Sequence, residues 1–230
     1  MNNFFTKPIL IIAICLFCSY SKVNAQAAVD PAATGVSLFC SGSALTITLP
    51  TTPNTTWKLM YSELQTTTPS TPVAMTNGAV SAADTKTGFY YLSSKSNDPN
   101  SCESDMQEIP VYVLKPLVVD FTKADFCVAS PQQQTGNVTN TDPKITTLAY
   151  QWYTISGTTE NIIPGATSPT YTPTNPTVGK TLYRLKVGYL IGANKYCPVV
   201  ADHEITVSPK PTKPTITPTQ IQGTAEAVTF

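Results

Sequence analysis

A hydrolase or transferase needs a base beside a nucleophile, and His203 is the only histidine among 230 residues. It falls opposite Ile109 when the two halves of the chain are aligned, near the start of the last apolar-alternating run. That is a core-rim position rather than one that arms a serine. Paired carboxylates for glycoside hydrolysis would have to come from Glu63, Asp84, Asp120, Asp125 or Glu160, none of which sits in a recognisable motif; each is expected to be solvated surface. The densest set of oxygen ligands is the loop from Asn97 to Asp105, but it lacks the alternation and central glycine of an EF-type calcium loop. Phosphate-cradling glycine-rich loops are absent from the sequence. Trp57 and Trp152 could stack on a sugar ring, but repeat-equivalent places on alternating runs favour core packing. Exposed aromatics are sought instead at Tyr112, Tyr153, Tyr189 and Tyr196. No catalytic, cofactor-binding or metal-binding residue is assigned, and no cofactor is expected.

The cysteines carry the remaining chemistry. Residues 1–25 hold Lys7, an apolar run from Pro8 to Cys18 and a small-residue site ending in Val23-Asn24-Ala25. This is the pattern of a cleaved secretory signal, too short to span a bilayer. Beyond it stand Cys40, Cys102, Cys127 and Cys197, an even number in an exported chain, which points to disulfides. No CxxC spacing occurs among them and one histidine cannot complete a zinc ligand set.

The elements that position these residues come as two copies. Phe39-Cys40 aligns with Phe126-Cys127, Trp57 with Trp152, Tyr90-Tyr91-Leu92 with Tyr183-Arg184-Leu185, and Cys102 with Cys197. Extra residues of the second copy fall in Ser130 to Gly136, a loop by composition. Each copy thus owns an early and a late cysteine. Independent folding units would pair Cys40 with Cys102 and Cys127 with Cys197, and each bridge would remove about 4 kcal/mol of denatured-state entropy in the chain-entropy model.

Period-2 alternation dominates both copies. Leu45, Ile47 and Leu49 alternate with threonines; Trp57, Leu59 and Tyr61 with Lys58 and Met60; Ile109, Val111 and Val113 with Pro110 and Tyr112. The second copy has matching runs at Leu148 to Ile155, Leu182 to Val187 and Glu204 to Val207. Short alternating strands between Gly and Pro punctuation indicate an all-β chain of two sandwiches. Trp57, Tyr90, Trp152 and Tyr183 are its expected structural core.

In the second copy Tyr150-Gln151-Trp152-Tyr153, Ile163-Pro164-Gly165-Ala166-Thr167, Tyr171-Thr172, Gly179, Tyr183-Arg184-Leu185-Lys186-Val187 and Cys197 together resemble the tandem immunoglobulin-like repeats of secreted and cell-surface proteins of gliding Gram-negative bacteria. The resemblance implies an immunoglobulin-like β-sandwich, with Trp152 as the tryptophan of the third strand and Tyr183 at the tyrosine corner. The first copy keeps Phe39-Cys40, Trp57, Tyr90 and Cys102 but carries a Thr-rich stretch, Thr66 to Thr71, in place of the Pro-Gly-Ala-Thr turn.

The expected organisation is a signal peptide at 1–25, immunoglobulin-like sandwiches at 26–115 and 116–208, and a Pro/Thr-rich linker or incomplete third repeat at 209–230. Charged residues make up only 12% of the chain, with fourteen of each sign. Lys7 and Lys22 leave with the signal, so the exported chain is two charges negative. That excludes electrostatic steering to nucleic acid or an anionic membrane, and no membrane insertion of the mature chain is expected. The function expected is a non-enzymatic, secreted or cell-surface spacer or adhesive element whose partner is a surface protein or polysaccharide. The alternative is a carbohydrate-recognition accessory, which requires solvent-facing aromatics on one sheet face.

Overall fold

A computed structural model describes residues 26–216. The signal segment and most of the expected linker or partial repeat, residues 217–230, lie outside the described residues. Every regular element described is a strand. Two compact units are formed. Of the described residues, the first takes those up to Pro116 together with Asn140–Thr147 and Leu190–Cys197; the second takes Leu117–Thr139, Leu148–Tyr189 and those from Pro198 on.

The early strands are β1 (Ser37–Cys40), β2 (Leu45–Thr46), β3 (Thr55–Ser62), β4 (Thr71–Val73), β5 (Ala79–Val80), β6 (Gly88–Ser96) and β7 (Gln107–Leu114). They make a five-stranded sheet ordered β1-β7-β6-β3-β4 and a two-stranded sheet β2-β5. β1 runs parallel to β7, with Cys40 opposite Leu114, and β3, β6 and β7 are antiparallel neighbours. Alternation sends Leu59, Tyr90, Leu92 and Val111 inward, where they close on Leu45 and Val80. The other face of the large sheet is covered too, since Phe89, Tyr91, Tyr112 and Leu114 are buried. One cover is the start of the described chain, where Gln65 N donates to Ala27 O at 3.0 Å and Lys144 Nζ donates to Val29 O at 2.7 Å. The buried Asp142 carboxylate accepts from Tyr112 Oη at 2.7 Å and Lys144 N at 3.0 Å, so its charge is met by donors.

The later strands are β8 (Val118–Phe121), β9 (Phe126–Cys127), β10 (Gln134–Thr139), β11 (Leu148–Ser156), β12 (Thr159–Ile162), β13 (Thr170–Tyr171), β14 (Gly179–Ile191) and β15 (Asn194–Ser208). Their sheets are β12-β11-β14-β15-β9 and β13-β10-β8. β9 pairs parallel with the end of β15, as β1 does with β7, so both copies open on a short strand laid along their own last strand. The core is Phe121, Phe126, Trp152, Tyr183, Leu185, Val187, Ile205 and Val207.

The segment from Ser130 to Gly136 is not wholly the loop its composition implies. Gln134, Thr135 and Gly136 begin β10, and Gln134 is completely buried. Its amide accepts from Ala124 N and donates to Ala124 O and Gln132 O, which satisfies the polar group the core would otherwise reject. In the first unit, alternation at Leu45, Ile47 and Leu49 produces only the two-residue β2; Ile47 N instead bonds Gly78 O at 2.8 Å.

Candidate functional site

The cysteines correct the expected pairing. Cys40 is bonded to Cys197, with Cα atoms 5.4 Å apart, while Cys102 and Cys127 are free thiols. The parallel first strand explains why neither expected bridge forms. Cys40 lies beside Leu114 at the far end of β7, whereas Cys102 precedes the near end at Gln107. The strand between them alone spans about 23 Å, several times the reach of a disulfide. Likewise Cys127 lies beside Ser208 at the finish of β15, whereas Cys197 is eleven residues earlier in the sequence of that strand. Cys40 and Cys197 both belong to the first compact unit, which takes in the tip of the β14–β15 hairpin.

The four aromatic positions differ in role. Trp152 and Tyr90 are fully buried and Tyr183 is 5% exposed, but Trp57 is half-buried and packs on the edge of the first core. Register accounts for this. Trp152 pairs with Leu185, whereas Trp57 pairs with Ser94, and it is Leu59 that pairs with Leu92. Leu59 is therefore the true counterpart of Trp152, and Trp57 stands two residues before that place. Trp152 Nε1 donates to Ser168 O at 2.9 Å, and its ring meets Phe121 edge-on at 4.9 Å and Tyr171 at 5.7 Å. The back-bonding of a tyrosine corner is made by Tyr90, whose hydroxyl accepts from Lys86 N at 2.8 Å and reaches Asp84 O at 3.2 Å. The Tyr183 hydroxyl makes no hydrogen bond among the described residues.

The residues sought for chemistry do not converge. His203 shares the inward parity of Ile205 and Val207 at the sandwich rim, stacks edge-on against Phe121 at 4.6 Å and binds Asp120 through Nε2 at 2.6 Å. The histidine holds the Asp120 carboxyl below the usual range, with the Phe121 N–H adding to it. Asp125 accepts from Thr206 N, Asp84 from the Ser81 hydroxyl, and Glu160 sits on another face altogether. The Asn97–Asp105 loop is stitched to itself: Ser101 Oγ bonds Ser96 O and Asp98 O, and Asn100 N donates to Asp98 Oδ1. Glu103 binds the Ser93 hydroxyl, which, ahead of Lys58, lowers its pKa. No group of three or more potential metal-ligating side chains occurs among the described residues. Nor do the tyrosines form a row, since Tyr112 and Tyr189 are buried and Tyr153 and Tyr196 half-buried.

What does converge is charge, on the outer face of β12-β11-β14-β15. Arg184, the only arginine, grips Asp202 through Nε at 2.7 Å and Nη2 at 2.6 Å and reaches Glu160 through Nη1 at 2.5 Å. Lys186 binds the other Glu160 oxygen at 2.8 Å and lies 4.9 Å over the Tyr153 ring. Lys186 and then Arg184 lower the Glu160 pKa; Asp202 first and Glu160 second raise that of Arg184. Exposed Ile162 and Val200 flank the network, at 58% and 42%. Outward parity of Tyr153, Arg184 and Ile162, in register across three strands, assembles it. That alternation was legible in the sequence, but which charges meet across strands was not.

No protein-family model matches the chain, and no curated protein matches it. Among solved structures, the PKD domain of human KIAA0319 is similar at 18% identity and a TM-score of 0.35, over 45% of this chain and 91% of that one. The fibronectin(III)-like modules of CbhA from Clostridium thermocellum give 13% and 0.35, over 75% and 89%. The three N-terminal domains of the Highly Immunogenic Outer Capsid protein of bacteriophage RB49 give 18% and 0.36, this chain covering 56% of that one. The fold assignment rests on strand order and register. The chain is all-β, built of two tandem immunoglobulin-like β-sandwiches, and among the described residues no helix is long and apolar enough to cross a membrane.

Proposed function

We propose that this chain is a non-enzymatic, exported module of a bacterial cell-surface assembly, serving as a spacer or adhesive element. The observation that carries the reading is the outer face of β12-β11-β14-β15. An aromatic ring, an arginine and exposed aliphatic residues inside a frame of ion pairs have the composition of a protein-binding surface. The paired charges cancel, so affinity there would come from Ile162, Val200 and Tyr153 while the ion pairs set register. A disulfide between Cys40 and Cys197 supports export to an oxidising compartment. The sole histidine, committed to Asp120 and Phe121, supports the non-enzymatic reading.

The test is binding of fluorescently labelled full chain to the surface of the cells that export it, against heat-denatured protein. Saturable binding that falls in Ile162→Lys and Val200→Lys is the expected result. Binding no better than that of denatured protein would leave only the spacer role. Carbohydrate recognition is the second reading, and the end cavity of the second unit favours it.

A further inference from the structure

We propose that the second unit binds a neutral saccharide in the cavity at the end of its sandwich, with the Tyr183 hydroxyl and the Tyr171 ring as its anchors. This site deepens the carbohydrate reading and does not depend on the charged sheet face. The cavity holds about 390 Å³ and lies between the end of β11, the start of β14, Tyr171 and the loop at residues 174–177. That volume falls in the range of small-molecule sites, roughly 300–1,000 Å³.

Tyr183 supplies the first argument. The residue is 5% exposed, yet its hydroxyl has no hydrogen-bond partner among the described residues. No sealed side-chain nitrogen or oxygen among those residues lacks a partner, so this hydroxyl must reach solvent, and Tyr183 is one of the residues that line the cavity. Burial and then the neighbouring Tyr171 raise its pKa, keeping it a neutral donor. A tyrosine at this buried place without an internal bond leaves a polar atom ready for an incoming hydroxyl.

The lining decides the ligand class. Ile155, Ile163, Leu182 and the rings of Tyr171 and Tyr183, 6.1 Å apart, give an apolar floor for the C–H face of a sugar. Ser156, Thr174, Asn175 and Thr177 give a rim of hydroxyl and amide groups, each able to donate and accept. The one charged residue in the lining, Lys180, is bound to Glu204 at 2.7 Å, so an ionic ligand meets no uncompensated counter-charge. An apolar peptide side chain would strand the Tyr183 hydroxyl, which a sugar hydroxyl satisfies.

The experiment is isothermal titration calorimetry of the full chain with cellohexaose, xylohexaose and mannohexaose. Saturable binding of at least one is expected, weakened about ten-fold by Tyr171→Ala and several-fold by Tyr183→Phe, the loss of one hydrogen bond. Tyr183→Phe removes only the oxygen, and its melting curve should stay at the wild-type position, which separates lost binding from lost folding. No binding of any of the three sugars, or binding that both variants leave unchanged, overturns the proposal. Cell-surface binding that survives Tyr183→Phe without any sugar binding would overturn the cavity and leave the adhesive reading standing; sugar binding without cell attachment would do the reverse.

Discussion

At the scale of single residues, similar side chains do different work because register places them differently. Trp152 is sealed between Phe121 and Tyr171 with its Nε1 bonded, so Trp152→Ala should cost ~3 to 5 kcal/mol in urea denaturation. Leu59 occupies the matching place in the first unit, and Leu59→Ala should cost ~2 to 5 kcal/mol. Half-buried Trp57 should cost less than Leu59 despite its size; the opposite order would refute the register argument. The tyrosines divide in the same way. Tyr90→Phe leaves the Lys86 N–H without its partner and should destabilise by ~1 to 3 kcal/mol, whereas Tyr183→Phe should lie within about 0.5 kcal/mol of wild type. Equal losses in the two variants would mean that the Tyr183 hydroxyl is bonded internally after all.

Among the elements, alternation revealed the long strands because a half-buried strand imposes period 2 on its own sequence. It failed where one face was not simply wet. In β7 both faces are covered, so Tyr112 and Leu114 read as outward yet are buried. In β10 the buried residue is Gln134, whose polarity reads as loop until its three backbone bonds are seen. Asn77-Gly78 carries a hairpin signal in the sequence: at positive φ of 50° and 81° the pair closes a two-residue turn in which Thr76 and Ala79 exchange backbone bonds. A side chain at Gly78 would also strike Ile47 O, so Gly78→Ala should lower the melting temperature of the first unit more than Gly165→Ala, which meets open space, lowers that of the second. On the second unit's outer face, ion pairs bind sheet strands that the backbone alone already joins. Glu160 and Asp120 have folded pKa values below their unfolded ones, so their contribution is complete above the unfolded values and is lost as pH falls through the folded ones. Stability should therefore decline as pH drops below about 4, and Glu160→Gln should decline less steeply. Parallel pH profiles for variant and wild type would show that the network adds nothing to folding.

For the whole molecule, the repeat was visible in the sequence and misled about the cysteines for a structural reason. Equivalent positions in two copies invite one bridge per copy, but that inference needs the early and late cysteines of a copy to share an end of the sheet. Because β1 and β9 run parallel to the last strand of their own copy, they bring the early cysteine to that strand's finish, while Cys102 precedes the start of β7 and Cys197 is the fourth residue of β15. Sequence alignment carries no information about that direction. The bridge that does form encloses 157 residue steps, more than twice either expected loop. In the chain-entropy model a loop of that length removes about 5 kcal/mol from the denatured state, provided that the native state is unstrained. Three measurements follow from one connectivity. With residues 1–25 removed, alkylation of the oxidised, denatured chain should label Cys102 and Cys127 and spare Cys40 and Cys197, and proteolysis without reductant should yield a linked peptide joining Cys40 to Cys197. Cys40→Ser should lower the melting temperature, but Cys102→Ser should not, because that thiol is exposed and unbonded. A peptide linking Cys40 to Cys102 would overturn the topology itself, since about 23 Å of β7 would have to vanish between them.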